Sequence, residues 1–277
     1  MKVVKRSFPK SRLRRTRMKS FSRKMVSENN FTINDVIWPV FVADDGKSKT
    51  QIKTMPNVYR YPIEVLLKEL EKPMKQGLNA IALFPHISDD KKDGEGSYAL
   101  SSKNVICKSV KKIKQEYPNI GVICDVALDP YTSHAHDGII SNGNVDNDKS
   151  LKKLVEQALL LADSGADILA PSDMMDGRVG RIRQSLEEKE YHDTMIMSYA
   201  AKYSSSLYGP FREAVNAGKL IEPKNKKSYQ MDIANIDEAM HEVAMDISEG
   251  ADMIMIKPGL PYLDVISKAK ELFSMPT

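Results

Sequence analysis

The sequence has almost no cysteine. Of its 277 residues only Cys107 and Cys124 are cysteines, and Cys124 lies inside an apolar run. This argues against a disulfide framework and against a cysteine metal cluster, and it favours a reducing cytoplasm as the compartment. The sequence also lacks an apolar run approaching the roughly 18 residues of a membrane span, and its basic N-terminus lacks the apolar core of a signal peptide. We therefore expect a cytoplasmic globular protein without a membrane partner.

Acidic residues are absent from the first 26 positions, which carry eleven Lys or Arg. Subtracting these eleven charges from the net charge of +4 leaves −7 for the rest of the chain. A basic arm on an acidic body is typical of nucleic-acid binding, but it also suits a contact with an acidic neighbouring subunit or simple solvation. The arm has only Phe8 and Phe21 as aromatic residues and matches no nucleic-acid motif, so we expect no nucleic-acid partner. We divide the chain into this arm, 1–30, and one domain, 31–277.

Beyond the arm, short apolar runs alternate with amphipathic segments. The predicted strands are 36–42, 80–84, 120–126, 168–170, 195–199, a weak one at 228–231, and 253–257. The predicted helices are 62–76, 104–116, 148–164, 178–190, 211–216 and 236–249. This alternation predicts an α/β fold with a parallel sheet and external helices. Because no dinucleotide-binding glycine pattern follows the first strand, a TIM (β/α)8-type barrel is favoured over a Rossmann fold. The sequence ends where an eighth strand is expected, so we predict a barrel without its last strand and helix.

Two lysines end buried apolar runs. Lys202 ends the run that begins at Thr194, and Lys257 ends the run that begins at Ala251. The C-terminal ends of barrel strands form the active-site face. Burial lowers a lysine pKa, two nearby ammonium groups lower each other further, and the neutral amine attacks ketones to form a Schiff base. A single lysine at a strand end is more often a surface residue, but a pair in similar settings predicts covalent chemistry on a carbonyl substrate.

A polar loop follows the third predicted strand. It contains Asp125, Asp129 and the pair His134 and His136. A His-x-His pair can bind zinc, but the other histidines are poorly placed to complete a metal-dependent hydrolase. The aspartates could bind Mg²⁺ through oxygen, or they could cap the loop and orient a histidine.

Further polar residues follow the later strands. Ser172 and Asp173 are expected to point into the barrel mouth, and we expect Asp125, Ser172 and Tyr203 to contribute to substrate binding. Arg212 and Lys226 suit a substrate carboxylate, because arginine can bind one in a bidentate manner. Taken singly, each of these residues has an ordinary structural explanation, such as a helix cap, rim packing or a solvated charge.

Several long stretches together resemble the porphobilinogen synthase family, also called 5-aminolevulinate dehydratase. They include Asp125-Val-Ala-Leu-Asp-Pro-Tyr-Thr-Ser-His-Ala-His-Asp-Gly138, Ala170-Pro-Ser-Asp-Met-Met-Asp-Gly-Arg178, Ser198-Tyr-Ala-Ala-Lys-Tyr203 and Met255-Ile-Lys-Pro-Gly-Leu-Pro-Tyr-Leu-Asp264. The resemblance runs from about Arg12 to the last residue. It implies a hydro-lyase of tetrapyrrole (heme and chlorophyll) biosynthesis, which joins two 5-aminolevulinate molecules to porphobilinogen with loss of water.

The resemblance also assigns roles to individual residues. Lys257 matches the lysine that forms a Schiff base with the substrate supplying the propionate side, and Lys202 matches the lysine that holds the second substrate. Arg212 and Lys226 match cations that bind a substrate carboxylate; other members have arginine in place of Lys226. Glu242 matches the glutamate of an allosteric magnesium site.

The sequence departs from the family pattern at two places. Zinc-dependent members have cysteines where this chain has Ala127, Asp129 and Asp137, which argues against catalytic zinc, and whether Asp129 and Asp137 bind a metal stays open.

The arm resembles one that embraces a neighbouring subunit in a homo-octamer. The family's eighth strand, with its substrate-binding serine, is missing here, as is a later tyrosine. An alternative function is therefore a catalytically impaired barrel that acts only as an assembly or regulatory subunit.

Overall fold

The computed structural model describes residues 5–218, 220 and 223–277. Its strands are β1 (Ile37–Ala43), β2 (Thr50–Gln51), β3 (Tyr59–Pro62), β4 (Ala80–His86), β5 (Gly121–Val126), β6 (Ile139–Ser141), β7 (Asn144–Asp146), β8 (Ile168–Pro171), β9 (Met195–Lys202) and β10 (Met253–Lys257). Its α-helices are α1 (Ser20–Met25), α2 (Ile63–Lys75), α3 (Val105–Glu116), α4 (Asn147–Asp163), α5 (Arg178–Glu188), α6 (Gly209–Ala214), α7 (Ile236–Ser248) and α8 (Leu263–Phe273).

The main sheet has the strand order β10-β9-β8-β5-β4-β1-β3-β2. Every neighbouring pair is parallel except β2 with β3. The strands are apolar on both faces because helices cover one face and the barrel interior fills the other. The α/β fold predicted from the alternating pattern is therefore confirmed.

Local sequence signals explain where the helices begin and end. The side chain of Asn104 accepts a hydrogen bond from the backbone N–H of Cys107 at the start of α3, and Asp146 accepts one from Lys149 at the start of α4. Gly165 and Gly250 follow α4 and α7 with φ of 101° and 104°. Only glycine adopts this left-handed conformation without strain, so each permits the tight turn into the next strand.

The predicted strand at 228–231 is wrong. Only Met231 forms a bridge there, with Tyr203, and the backbone N–H groups of Tyr229 and Gln230 instead donate to the carbonyl of Lys226 in a turn. A four-residue stretch with a single aliphatic side chain does not bury enough surface to hold a strand. As a result β9 and β10 pair directly, with Lys202 opposite Lys257.

The sheet curves but does not close within the described part of the chain, where β1 and β10 have no ladder between them. An apolar cavity occupies this gap, lined in part by Ile37, Met197 and Met253. The carbonyl of Pro276 accepts a hydrogen bond of 3.0 Å from the N–H of Ile254, so the segment after α8 lies along the free edge of β10.

The basic arm lies outside this core. No side chain between residues 5 and 36 is buried, and from residue 5 onward the arm forms only a 3-10 helix at Leu13–Arg17 and the short helix α1. Among the described helices, none combines the length and the apolar character that crossing a bilayer demands.

Candidate active site

The two lysines lie side by side at the C-terminal ends of β9 and β10, and they face one cavity. The residues that line this cavity are Asp125, Asp129, Ser172, Lys202, Tyr208, Phe211, Arg212, Lys226, Gln230 and Lys257. The structure thus brings together both predicted lysines and most of the predicted substrate-binding residues. Parallel strands ending at one face of the sheet account for this convergence.

Aromatic rings surround the amine of Lys257. Its Nζ lies 4.1 Å from the ring centroid of Phe211, 5.0 Å from that of Tyr199, 5.7 Å from that of Tyr208 and 5.9 Å from that of Phe84. Burial, with repulsion from Lys202, lowers the pKa of Lys257 to about 8, even though nearby carboxylates such as Asp125 oppose the shift. A neutral amine is therefore accessible near physiological pH, as the sequence predicts.

Lys202 has a different environment, and the prediction of a lowered pKa is wrong for this residue. Its Nζ donates to Oδ1 of Asp137 at 3.1 Å and to the carbonyl oxygen of Ser172. Burial alone would lower the pKa of Lys202, but the charges of Asp137, Asp129 and Asp125 outweigh burial and raise it above 10.5. The resting site therefore holds Lys202 as an ammonium group.

Asp137 connects two of the cations of the cavity, Lys202 and Lys226. Its side chain is fully buried; it accepts hydrogen bonds from Lys202, from Lys226 at 2.5 Å and from the hydroxyl of Tyr229 at 3.0 Å. Burial alone would raise the pKa of Asp137, but the two lysines lower it well below its usual range. Lys226 also donates to Asp129 at 3.1 Å. The ammonium of Lys226 thus lies between Asp129 and Asp137, the two carboxylates considered above as metal ligands, and it engages one oxygen of each.

The His-x-His pair contributes to loop structure. His136 is fully buried, with Nδ1 2.9 Å from the hydroxyl of Tyr229 and Nε2 2.8 Å from the carbonyl oxygen of Pro223. His134 contacts the carbonyl of Gly94 through Nε2 at 3.1 Å. The described residues contain no group of three or more metal-binding side chains. The histidines therefore support the orientation of Tyr229, and through it the orientation of Asp137.

Two buried carboxyl groups have raised pKa values. Burial raises the pKa of Asp125 to about 6 despite the opposing charges of Lys257 and Lys202, and its Oδ1 has no hydrogen-bond partner among the described residues. Asp125 lines the cavity and can exchange a proton near neutral pH. Burial likewise raises the pKa of Asp173 to about 6, but Asp173 lies beside Arg178 and outside the cavity lining, so its predicted place at the barrel mouth is wrong.

Tyr203 is a second residue that the structure places away from the cavity. Its ring stacks on Tyr262 with the centroids 4.0 Å apart, and its hydroxyl donates to the carbonyl of Asn235 at 3.1 Å. In contrast, Gln230 and Phe211 line the cavity, although the sequence patterns do not single them out. The signal for Phe211 is its position directly before Arg212, on the same short helix α6.

Glu242 lies outside the cavity, on α7. It lines a separate surface pocket together with Asp176 and Glu238. Burial raises the pKa of Glu242, Arg178 opposes that shift, and Asp246, Asp176 and Glu238 add to it. These carboxylates share a negative potential, and oxygen ligands of this kind suit Mg²⁺, which often binds through one or two carboxylates with its remaining positions taken by water.

Comparison with known proteins gives consistent similarities over nearly the whole chain. The family model described as delta-aminolevulinic acid dehydratase matches residues 10–277. A protein of that name from Bradyrhizobium diazoefficiens is 51% identical over 266 residues, covering 96% of this chain and 75% of the relative. One from Rhodobacter capsulatus is 42% identical over 277 residues, covering 100% of this chain and 83% of the relative.

A solved structure is also similar. The Toxoplasma gondii delta-aminolevulinic acid dehydratase (porphobilinogen synthase), in complex with the reaction product porphobilinogen, superimposes with a TM-score of 0.93 at 41% identity. The match covers 96% of this chain and 76% of the Toxoplasma chain.

Proposed function

The chain belongs to the delta-aminolevulinic acid dehydratase family, and from that premise we infer that it is a lyase of porphyrin and heme biosynthesis. It condenses two molecules of 5-aminolevulinate to one porphobilinogen with the release of two waters. Within the site, one observation supports this function most strongly: Lys202 and Lys257 are adjacent in one buried cavity. Two substrate ketones need two amines, and the cavity offers both.

We propose that Lys257 reacts as the free amine. Its Nζ attacks the ketone of the substrate that supplies the propionate side; the ketone oxygen leaves as water, and an imine forms between nitrogen and carbon. The lowered pKa of Lys257, about 8, supports this role. Lys202 holds the second substrate, and it must first pass a proton to a base or to solvent.

Asp125 is proposed to move protons between these steps. Once Lys202 holds the second substrate as an imine, loss of a proton from the carbon next to that imine gives an enamine, whose carbon attacks the carbon of the Lys257 imine to form the carbon–carbon bond. The free amine of the substrate on Lys257 then displaces Lys202 to close the ring, and elimination of the Lys257 amine with loss of protons gives the pyrrole. The two waters are those released when the two imines form. A carboxyl group with a pKa of about 6, facing both lysines, can accept and return these protons.

Arg212, Lys226 and Ser172 are proposed to bind and orient substrate. Arg212 and Lys226 supply positive charge to the lining of the cavity, where a carboxylate can be held in a fixed orientation. When a substrate carboxylate contacts Lys226, it competes with Asp129 and Asp137 for the same ammonium group. No proposed step passes through a metal ion in this cavity.

Magnesium is proposed to bind at Glu242 and to act on regulation. The negative charges of Asp176 and Glu238, which add to the raised pKa of Glu242, support this assignment, with Glu242 as the ligand and water completing the coordination. Because Glu242 is outside the cavity that contains the lysines, the ion would change conformation or assembly and would not touch reacting atoms.

Assembly through the arm is proposed as well, in a homo-octamer. Large apolar side chains stand exposed along the arm, including Phe8 at 74%, Leu13 at 67% and Met25 at 78% exposure. Exposed apolar groups among cations suit a neighbouring copy whose body carries net negative charge. Sedimentation of the protein and of a variant lacking residues 1–30 tests this: the octamer should be lost with the arm, and an unchanged mass would exclude it.

The decisive test of the function combines trapping with a product assay. The protein is incubated with 5-aminolevulinate, treated with borohydride and digested; mass spectrometry should locate a reduced adduct on Lys257. A parallel assay should detect the pyrrole product. If neither lysine is modified, the imine mechanism is wrong. If Lys257 is modified but no pyrrole forms, the alternative of an impaired barrel with an assembly or regulatory role replaces the enzyme.

A further inference from the structure

The short helix α6 covers the active-site cavity, and basic side chains from other elements hold its C-terminal end. Arg60, on β3, donates from Nε to the carbonyl oxygen of Ala214 at 2.8 Å and from a terminal nitrogen to that of Glu213. The Nδ1 of His86, at the end of β4, lies 3.2 Å from the same Ala214 oxygen. The last carbonyls of a helix have no partner within the helix and favour positive charge, so these contacts stabilise the end of α6.

The backbone just beyond α6 is held in the same way. Lys92 donates to the carbonyl oxygen of Asn216, and the Asn216 side chain donates to the carbonyl of Ile87 at 2.8 Å and to Asp89 at 3.0 Å. Asn216 has φ of 56°, in the left-handed region that asparagine tolerates better than most residues. Residues 213–216 are therefore tied to β3 and to the loop after β4 by side chains of both.

These contacts bear on Lys257 through Phe211. The Phe211 ring packs 5.1 Å from Phe84 and 5.9 Å from Phe41, measured between centroids, and its own centroid lies 4.1 Å from the Nζ of Lys257. A helix of six residues is too short to be stable alone, so its tertiary contacts determine where Phe211 lies.

We propose that Arg60 is a positioning residue for the imine chemistry: by holding the last carbonyls of α6, it keeps Phe211 against the amine of Lys257 and excludes water from it. This inference rests on the proposed function for its catalytic meaning. We call the contacts of Arg60 with the carbonyls of Glu213 and Ala214 the clamp. Without the clamp, Phe211 moves away, water reaches the amine and the charged form of Lys257 is favoured. Arg212, which follows Phe211 on the same helix, loses its fixed orientation toward the substrate carboxylate as well.

Most ionisable groups near Lys257 stand on elements that Arg60 does not hold. They are Lys202 and Tyr199 on β9, Asp125 on β5, Asp129 and Asp137 in the loop after β5, and Lys226, whereas Tyr208 and Arg212 move together with α6. A change in the titration of Lys257 in an Arg60 variant therefore reports on the position of α6.

The test measures how the rate of Lys257 acetylation by acetic anhydride depends on pH. Mass spectrometry quantifies the acetylated residue relative to a reference amine in the same sample, and no substrate is needed. In the parent protein the midpoint should lie near 8. In Arg60→Met it should rise by about one unit, which lowers the neutral fraction at pH 7 about tenfold. Lys92→Met should shift it in the same direction, and Arg60→Lys should restore part of the loss. Arg181→Met, at an exposed position of α5, is the matched control and should leave the midpoint unchanged.

Each outcome decides the inference. Circular dichroism establishes which variants fold. Lys92→Met, which removes one bond to the Asn216 carbonyl and the ion pair with Asp89, gives the answer if Arg60→Met does not fold. Midpoints equal to that of the parent in the folded variants overturn the clamp. Borohydride trapping of 5-aminolevulinate by the parent tests the proposed function separately: a shifted midpoint without any trapped adduct would leave the clamp standing and remove the function.

Discussion

Lys202 and Lys257 are direct partners in the parallel register of β9 and β10, yet their pKa values shift in opposite directions. Lys257 is surrounded by aromatic rings and carries a pKa of about 8, whereas Lys202 is paired with the buried Asp137 and has a raised pKa. One amine is thus prepared for nucleophilic attack while the other is held charged. This asymmetry predicts that the two substrates are taken up by different routes.

Imine formation at Lys257 should rise with pH. Since its folded-state pKa of about 8 lies below the ordinary 10.5, the neutral fraction is about a tenth at pH 7 and about a half at pH 8. Borohydride trapping at a series of pH values measures this midpoint. Lys202→Met should move the midpoint upward, because it removes a neighbouring positive charge. A midpoint near 10.5 in the parent protein would show that the amine is hydrated.

Replacing either lysine should lower the rate of pyrrole formation by about a thousandfold or more, as replacement of other essential catalytic groups does. The two variants should differ in trapping. Lys202→Ala should still form one reduced adduct, at Lys257, whereas Lys257→Ala should not form that adduct. Full pyrrole formation by Lys202→Ala would instead show that one lysine is sufficient for the reaction.

Asp137→Asn should destabilise the protein, because it leaves Lys202 and Lys226 buried beside a neutral amide. Breaking a buried ion pair on one side costs about 3–5 kcal/mol of the free energy of unfolding, measured by urea titration. The control is Asp237→Asn, which removes an exposed partner of Lys268 and should change little. Equal midpoints of denaturation for the two variants would contradict the importance assigned to Asp137.

Glu242→Gln should abolish the response to magnesium. The protein is assayed with and without added Mg²⁺, and Mn²⁺ binding is followed by electron paramagnetic resonance. The variant should lose both the stimulation and the binding, because its amide no longer supplies the charge that attracts the ion. Glu188→Gln, on the exposed end of α5, serves as the control. Unchanged Mn²⁺ binding in Glu242→Gln would place the ion elsewhere.

Much of the architecture could be predicted because strand and helix periodicities are local. The convergence of Lys202, Lys257 and Asp125 followed from one general property, that parallel strands end at a common face. The protonation of Lys202 could not be predicted, because its partner Asp137 is distant in the sequence and reaches it through a loop. The aromatic setting of Lys257 depends likewise on Phe84 and Phe211, which only the folded chain brings together.

The wrong predictions for Tyr203 and Asp173 also have their cause in contacts that form only in the folded chain. Tyr203 directly follows Lys202, so proximity in sequence suggested the cavity, but its side chain turns outward to stack on Tyr262. Asp173 lies just past the end of β8, much as Asp125 lies near the end of β5, yet the buried Arg178 lies beside Asp173. Side-chain direction at the end of a strand depends on the local backbone turn, and apolar patterning does not specify that turn.

Because the single carboxylate of Asp137 pairs with both Lys202 and Lys226, the resting cavity has one more cation than it has anions. Counting formal charges, the ammonium and guanidinium groups of Lys202, Lys226, Lys257 and Arg212 face the carboxylates of Asp125, Asp129 and Asp137. Four cations and three anions give the cavity a net charge of +1, which one substrate carboxylate neutralises. Entry of the first carboxylate therefore brings the cavity to electroneutrality, and a second arriving acid meets a less attractive field than the first.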